Sequence, residues 1–260
     1  MTEPGPTRRP GVGETLGAAA KLMRDFPRET MLPLLAIQAP LVLGTIFLTV
    51  LLYSTAFSDE IYPRGGLTSA SEDSTQVFVL ILVVAVGAVL GLVGQGATIV
   101  SVAAIALGNR LTLSEALDPA FTRLGGLLLL TLIFAIAGGL LAFTIVGLAV
   151  LPFLVARFGV AYQVFLLEKV SPIEALKKSW SMMHGNMLRL IGIILVGFLL
   201  ILLIGALVPV SPAPGSMSQQ LRMLIDAGLL ILQGGTAIPA AAFAHAAITL
   251  YYLRIREETS

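Results

Sequence analysis

SPIEALKKSW, residues 171–180, interrupts one of the most apolar stretches of the chain. Long runs of Leu, Ile, Val, Ala and Phe lie on both sides of it, yet it carries Glu174, Lys177 and Lys178. Ser171 and Glu174 fit a capping box, in which the hydroxyl accepts from a free backbone N–H and the glutamate reaches back to another. Pro172 sits at the first helical position, where its missing N–H costs nothing. A short helix is therefore expected from Pro172. Along it Ile173, Leu176, Trp180, Met183 and Met187 recur at steps of three and four, an apolar stripe, with Glu174, Lys177, Lys178 and Ser181 off it. Such a helix belongs in the plane of a membrane interface.

The same pattern occurs before another apolar run as TLSEALDPAF, residues 112–121, with Thr112 and Glu115 as the box. A fainter copy, GVGETLGAAAKLM at 11–23, has Gly11 in place of the hydroxyl. There Glu14, Leu16, Ala20 and Met23 match Glu174, Leu176, Trp180 and Met183. The chain has the form of three units, each a short interfacial helix followed by two spans. Internal repeats of this kind recur in membrane folds.

Composition sets the solvent. The chain has 260 residues, of which 57% are hydrophobic and 12% charged, with a mean hydropathy of +0.94. A soluble domain carries about 25% charged residues, and about 20 apolar residues cross a bilayer as a helix. The expected fold is an all-α polytopic helical bundle with spans near 31–54, 76–107, 123–143, 149–167, 187–208 and 224–253. The run 124–167 is too long for one helix, so TIVGL at 144–148, ahead of Pro152, is read as its turn. Residues 1–10, rich in proline, read as a disordered tail, and 11–260 as one membrane domain. The start of the chain lacks the short basic-then-apolar pattern of a cleaved signal.

Charge placement predicts orientation. Thirteen Lys and Arg fall on the side of the termini, Arg64 and Arg222 on the other, and Arg157 inside a span. The positive-inside bias then puts both termini in the cytoplasm of a prokaryotic cell, in its plasma membrane. Tyr251 and Tyr252, followed by Arg254 and Arg256, read as an interfacial anchor.

The segments LLEKVSPIEALKKSWSMMHGNMLRLIGIILV, 166–196, and LYYLRIREE, 250–258, resemble the membrane-domain-like family related to glycerophosphoryl diester phosphodiesterases. Members of that family end with a Tyr, an Asp and alternating arginines; this chain lacks the aspartate between Tyr252 and Leu253. The resemblance implies a polytopic membrane fold, and most such proteins have no assigned activity. The residues themselves argue against catalysis. A phosphodiesterase needs several carboxylates, usually a metal, and a histidine as acid or base. Here no acid lies deep in a span, the two histidines (His184 and His245) are far apart, and cysteine is absent. No cofactor, metal or nucleic-acid partner is expected; membrane lipids or another membrane protein are. The glycines of GLVGQG, 91–96, lie within a span, where Gly87, Gly91 and Gly94 with Thr98 and Ser101 make a small-residue stripe for helix contact.

Arg157 is the residue to explain. An arginine at a helix centre costs about 2.5–3.5 kcal/mol on insertion scales. Gln38, Gln95, Gln163 and His245 lie at related depths. Two readings stand: a structural arginine tying carbonyls and amides together, or a fixed charge for an anion such as a lipid phosphate, in which case the protein is a transporter or lipid-handling carrier. His245 reads as a packed helix contact or a proton carrier. Pro239 is expected to bend or break the sixth span, and Pro33 and Pro40 to do so less deeply in the first.

Overall fold

A computed structural model describes residues 11–56, 70–207 and 219–259. The expected tail 1–10 and the loops around Arg64 and 209–218 lie outside the described residues. Six helices are long and apolar enough to cross a membrane, and the chain is an all-α polytopic bundle.

Three short helices begin at local caps. α1 spans Val12–Asp25, α4 Leu113–Thr122 and α8 Pro172–Met182. At α8 the Glu174 N–H donates to Ser171 Oγ at 3.3 Å and the Ser171 N–H to Glu174 Oε2 at 3.0 Å. At α4 the Thr112 N–H donates to Glu115 Oε2 at 2.7 Å, and Thr112 Oγ1 accepts from the Glu115 N–H at 3.4 Å. α1 has half the box: the Gly11 N–H donates to Glu14 Oε2 at 3.1 Å, and glycine has no hydroxyl to return the bond.

The spans follow as α2 (Pro27–Ala56), α3 (Ala70–Ala106), α5 (Leu124–Ala142), α6 (Ile145–Phe158), α7 (Ala161–Leu167), α9 (Met187–Ala206) and α10 (Gln219–Thr259). The turn between α5 and α6 is at 143–144, at the near edge of the expected 144–148, and residues 145–148 already belong to α6. Thr144 Oγ1 accepts from the Gly147 N–H at 2.9 Å, and a Cβ on Gly147 would collide with the Leu141 carbonyl.

Packing makes the repeat physical. In each copy the residues one and five places after the glutamate are small and buried: Thr15 and Ala19, Ala116 and Ala120, Ala175 and Ser179. Each short helix lays this face against the second span of the preceding unit. Thus α4 packs on α3, α8 on α7 and α6, and α1 on α10, which closes a ring. First spans follow the same rule, α5 against α3, α9 against α6 and α2 against α10. Second spans are accordingly the inner ones: 33, 39 and 44% of their apolar windows is buried, against 17, 11 and 17% for the first spans. We call the three short helices the collar.

The structure departs from the sequence reading in three places. α10 runs unbroken through Pro239, and α2 through Pro33 and Pro40. The break comes instead in the fourth span, at Gly159 and Val160 between α6 and α7. Leu190 of α9 presses on it: a Cβ on Gly159 would stand 2.7 Å from Leu190 Cδ2 and 2.8 Å from the Val155 carbonyl. Of the small-residue stripe in α3, Gly94, Thr98 and Ser101 make contacts, Gly94 against Ile37 and Leu34, and Ser101 Oγ donating to the Glu29 carbonyl at 2.7 Å. Gly87 and Gly91 face open space.

Candidate functional site

The apolar stripe expected on α8 is divided. Met183 is buried, but Ile173 is 50% exposed and Trp180 42%. At about 100° per residue, Ala175, Ser179 and Met182 form the bundle face. Leu176, Trp180 and Ile173 form an apolar flank, and Lys177, Ser181, Glu174 and Lys178 complete the polar arc. Small residues, not Trp180, seat the helix.

Trp180 has a different neighbour. Arg157 sits in the last turn of α6, just before the helix break and near the middle of the span Ala149–Leu167, as expected. Its guanidinium lies 4.6 Å from the centre of the Trp180 ring and 5.3 Å from that of Phe153. Its Nη1 donates to the Trp180 carbonyl at 3.1 Å, and Ser179 Oγ donates to the Arg157 carbonyl at 2.9 Å. Phe158 closes the cluster, its ring centre 5.4 Å from that of Trp180. Cation–π contacts of this kind contribute about 0.5–2 kcal/mol each. Arg157 Nε is nevertheless enclosed with no acceptor, and no carboxylate pairs with the side chain among the described residues.

A second cluster joins the segments 166–196 and 250–258. Glu168, at the end of α7, accepts from Lys178 Nζ through Oε2 and from Tyr252 Oη through Oε1 at 2.7 Å. Burial pushes the Glu168 carboxyl up, but the bonds from Lys178 and Tyr252 and the charges of Lys178 and Arg256 outweigh it and hold the group below its ordinary value. Arg123 clamps the same corner, donating to the carbonyls of Phe165 at 2.5 Å and Lys169 at 2.6 Å. Lys169 takes a left-handed backbone there, with φ of 56°. Tyr251 Oη donates to the Asn186 carbonyl at 3.0 Å. Tyr251 and Tyr252 are both fully buried, so they lock α10 to its neighbours instead of anchoring it in the interface. The cue for Glu168 in sequence is a lone acid at the end of a span; nothing local names Tyr252 as its partner.

The expected polar set divides in two. Gln95 of α3, Gln163 of α7 and His245 of α10 line one cavity of about 130 Å³, with Tyr162, Leu92 and Ile248. Gln163 is 2% exposed and its Oε1 has no hydrogen-bond partner. Gln95 is at the exposed edge of this space. Gln38 of α2 and Arg157 do not line it. Gly159, at the helix break, also lines the cavity. Its lining has no charged side chain, so it suits water or an uncharged hydrogen-bonding group. Among the described residues no group of His, Asp and Glu is placed to hold a metal ion. No family model, curated protein or solved structure matches the chain.

Proposed function

We propose that this is a non-enzymatic module of a prokaryotic plasma membrane, with its termini in the cytoplasm, which engages lipid through the collar. The observation that carries this reading is the three-sided build of α8. One side is seated in the bundle by Ala175 and Ser179, one presents Ile173 and Trp180, and one is charged. A helix of that cross-section is stable lying at the level of the headgroups, with its apolar flank in the acyl boundary. Phe121, exposed on α4, repeats the feature. The resemblance of 166–196 and 250–258 to a membrane-domain-like family supports the same reading, and the Glu168–Tyr252 bond gives a physical reason for the two segments to occur together.

The chain has no cysteine, so single cysteines report cleanly. A polarity-sensitive fluorophore on Ile173→Cys should report an apolar environment in liposomes, and one on Ser181→Cys an aqueous one. Ser181→Cys should also resist impermeant reagents added outside intact cells. Aqueous signals from both positions, or labelling of Ser181→Cys from outside, would refute the reading.

The runner-up is a carrier. The cavity of Gln95, Gln163 and His245 favours it, because a buried amide oxygen without a partner costs about 1–3 kcal/mol unless something occupies the space. Arg157 lies apart from that cavity, so the anion-carrying form of the idea loses its charge.

A further inference from the structure

We infer that the corner between α5, α6 and α8 is a binding site for one anionic phospholipid, with an acyl chain in the α5–α6 groove and the phosphate at Arg157. The inference rests on the collar reading and gives it a lipid class and an address. The groove, about 260 Å³, is lined by Phe134, Gly138 and Leu141 of α5 and by Leu151, Leu154 and Phe158 of α6. It also reaches Tyr162 of α7 and Leu176 of α8. From Leu151 to Tyr162 it runs roughly 17 Å along the span at the rise of a helix. It therefore lies along the membrane normal and ends at the collar. That is the shape and chemistry of an acyl chain and not of a soluble solute.

A cation stands beside the groove at the level of Phe158. Phe158 lines the groove on one side and meets Trp180 on the other, and Trp180 stacks on the Arg157 guanidinium. Arg157 is fixed there by packing and by one carbonyl, and no carboxylate among the described residues offsets its charge. Arg189, in the first turn of α9, likewise has an enclosed Nη1 without an acceptor. It adjoins Leu190, which presses on Gly159 two residues beyond Arg157. Among the described residues no carboxylate pairs with either arginine. An uncompensated Arg157 beside an apolar slot complements a phosphate with a net negative headgroup. The arginine fork suits phosphate oxygens.

Trp180 is the sole tryptophan, so the protein carries its own reporter at the site. The full chain would be placed in nanodiscs of phosphatidylcholine containing a small fraction of brominated phosphatidylglycerol or brominated phosphatidylcholine. Brominated phosphatidylglycerol should quench Trp180 at a several-fold lower mole fraction. Arg157→Gln should abolish that preference and Arg157→Lys should retain part of it. Gly138→Leu, which fills the groove without touching Arg157, should weaken quenching by both lipids. Equal quenching by the two lipids in the wild-type chain overturns the site, and leaves the collar reading to its own labelling test. Absence of quenching by either means that protein, not lipid, covers the corner, and overturns it too. Should Arg157→Gln fail to fold, the wild-type comparison and Gly138→Leu still decide.

Discussion

α4 and α8 begin with the same device and end with different duties. Both are opened by a hydroxyl–glutamate box, and both bury two small residues one turn apart against the span before them. Beyond that they diverge. α8 is tied to Glu168 through Lys178, to Arg157 through Ser179 and Trp180, and it borders the apolar groove. α4 carries an exposed Phe121, and Pro119 within its last turn. The box and the small pair fix where a collar helix lies. What it does there depends on residues the repeat leaves free to differ.

The largest effect should come from breaking what the two helices share. Ala175→Leu and Ala116→Leu both force a larger side chain into a filled contact, and overpacking costs about 1–3 kcal/mol. Thermal unfolding in detergent should drop comparably for the two variants. A marked drop for one and none for the other would mean that the two copies are not seated alike.

A smaller effect, confined to α8, is expected from Tyr252→Phe. It removes the hydroxyl that donates to Glu168 while keeping the buried ring. Hydrogen bonds to charged groups contribute about 1.5–3 kcal/mol, and here the lower end applies because Lys178 still holds the carboxylate. Protease access to the 168–171 linker should rise, with access to the 107–112 linker unchanged. Equal exposure of both linkers would show that Glu168 serves the whole collar.

The smallest is loss of a cap. Ser171→Ala and Thr112→Ala should each cost about 1 kcal/mol. Both box glutamates have carboxyls held below the ordinary value of 4.5, first by the backbone N–H of Ser171 or Thr112 and then by its hydroxyl. The sign follows: a lowered carboxyl stabilises the fold above its unfolded-state value and loses that contribution as pH falls through the folded-state one. Stability should therefore fall in acid in the wild-type chain and, less steeply, in the alanine variants, whereas in Glu174→Gln and Glu115→Gln the pH dependence at that helix should vanish. Persistence of the full acid sensitivity in the Gln variants would assign it elsewhere.

What the sequence disclosed was local. Hydropathy shows the spans, and the turn near Thr144 and the boxes at 112 and 171 are written in adjacent residues. Contacts between distant segments were not so written. Pro239 is tolerated because neighbouring helices can satisfy a freed backbone carbonyl inside a bundle, whereas Gly159 marks a break through its contact with Leu190. Arg157 reads as mid-span and lies there, but its contacts with Trp180 and Ser179 of α8 come from far along the chain. Trp180 and the tyrosines changed places for a similar reason. Size and aromaticity suggest a role, but neighbours decide which large ring is buried.

The ring of units is joined between α1 and α10, the first and last of the described helices. That gives the fold an order in time. A chain inserted from its N-terminus makes α4 just after α3, and α8 just after α7, so each finds its seat at once. α1 instead waits for α10, its main neighbour, through the making of every helix between. Contacts so distant along the chain are the slow ones. During that wait α1 has only its lesser packing against α2 and α9. A truncation that removes α10 should thus be felt at the opposite end of the chain, at α1.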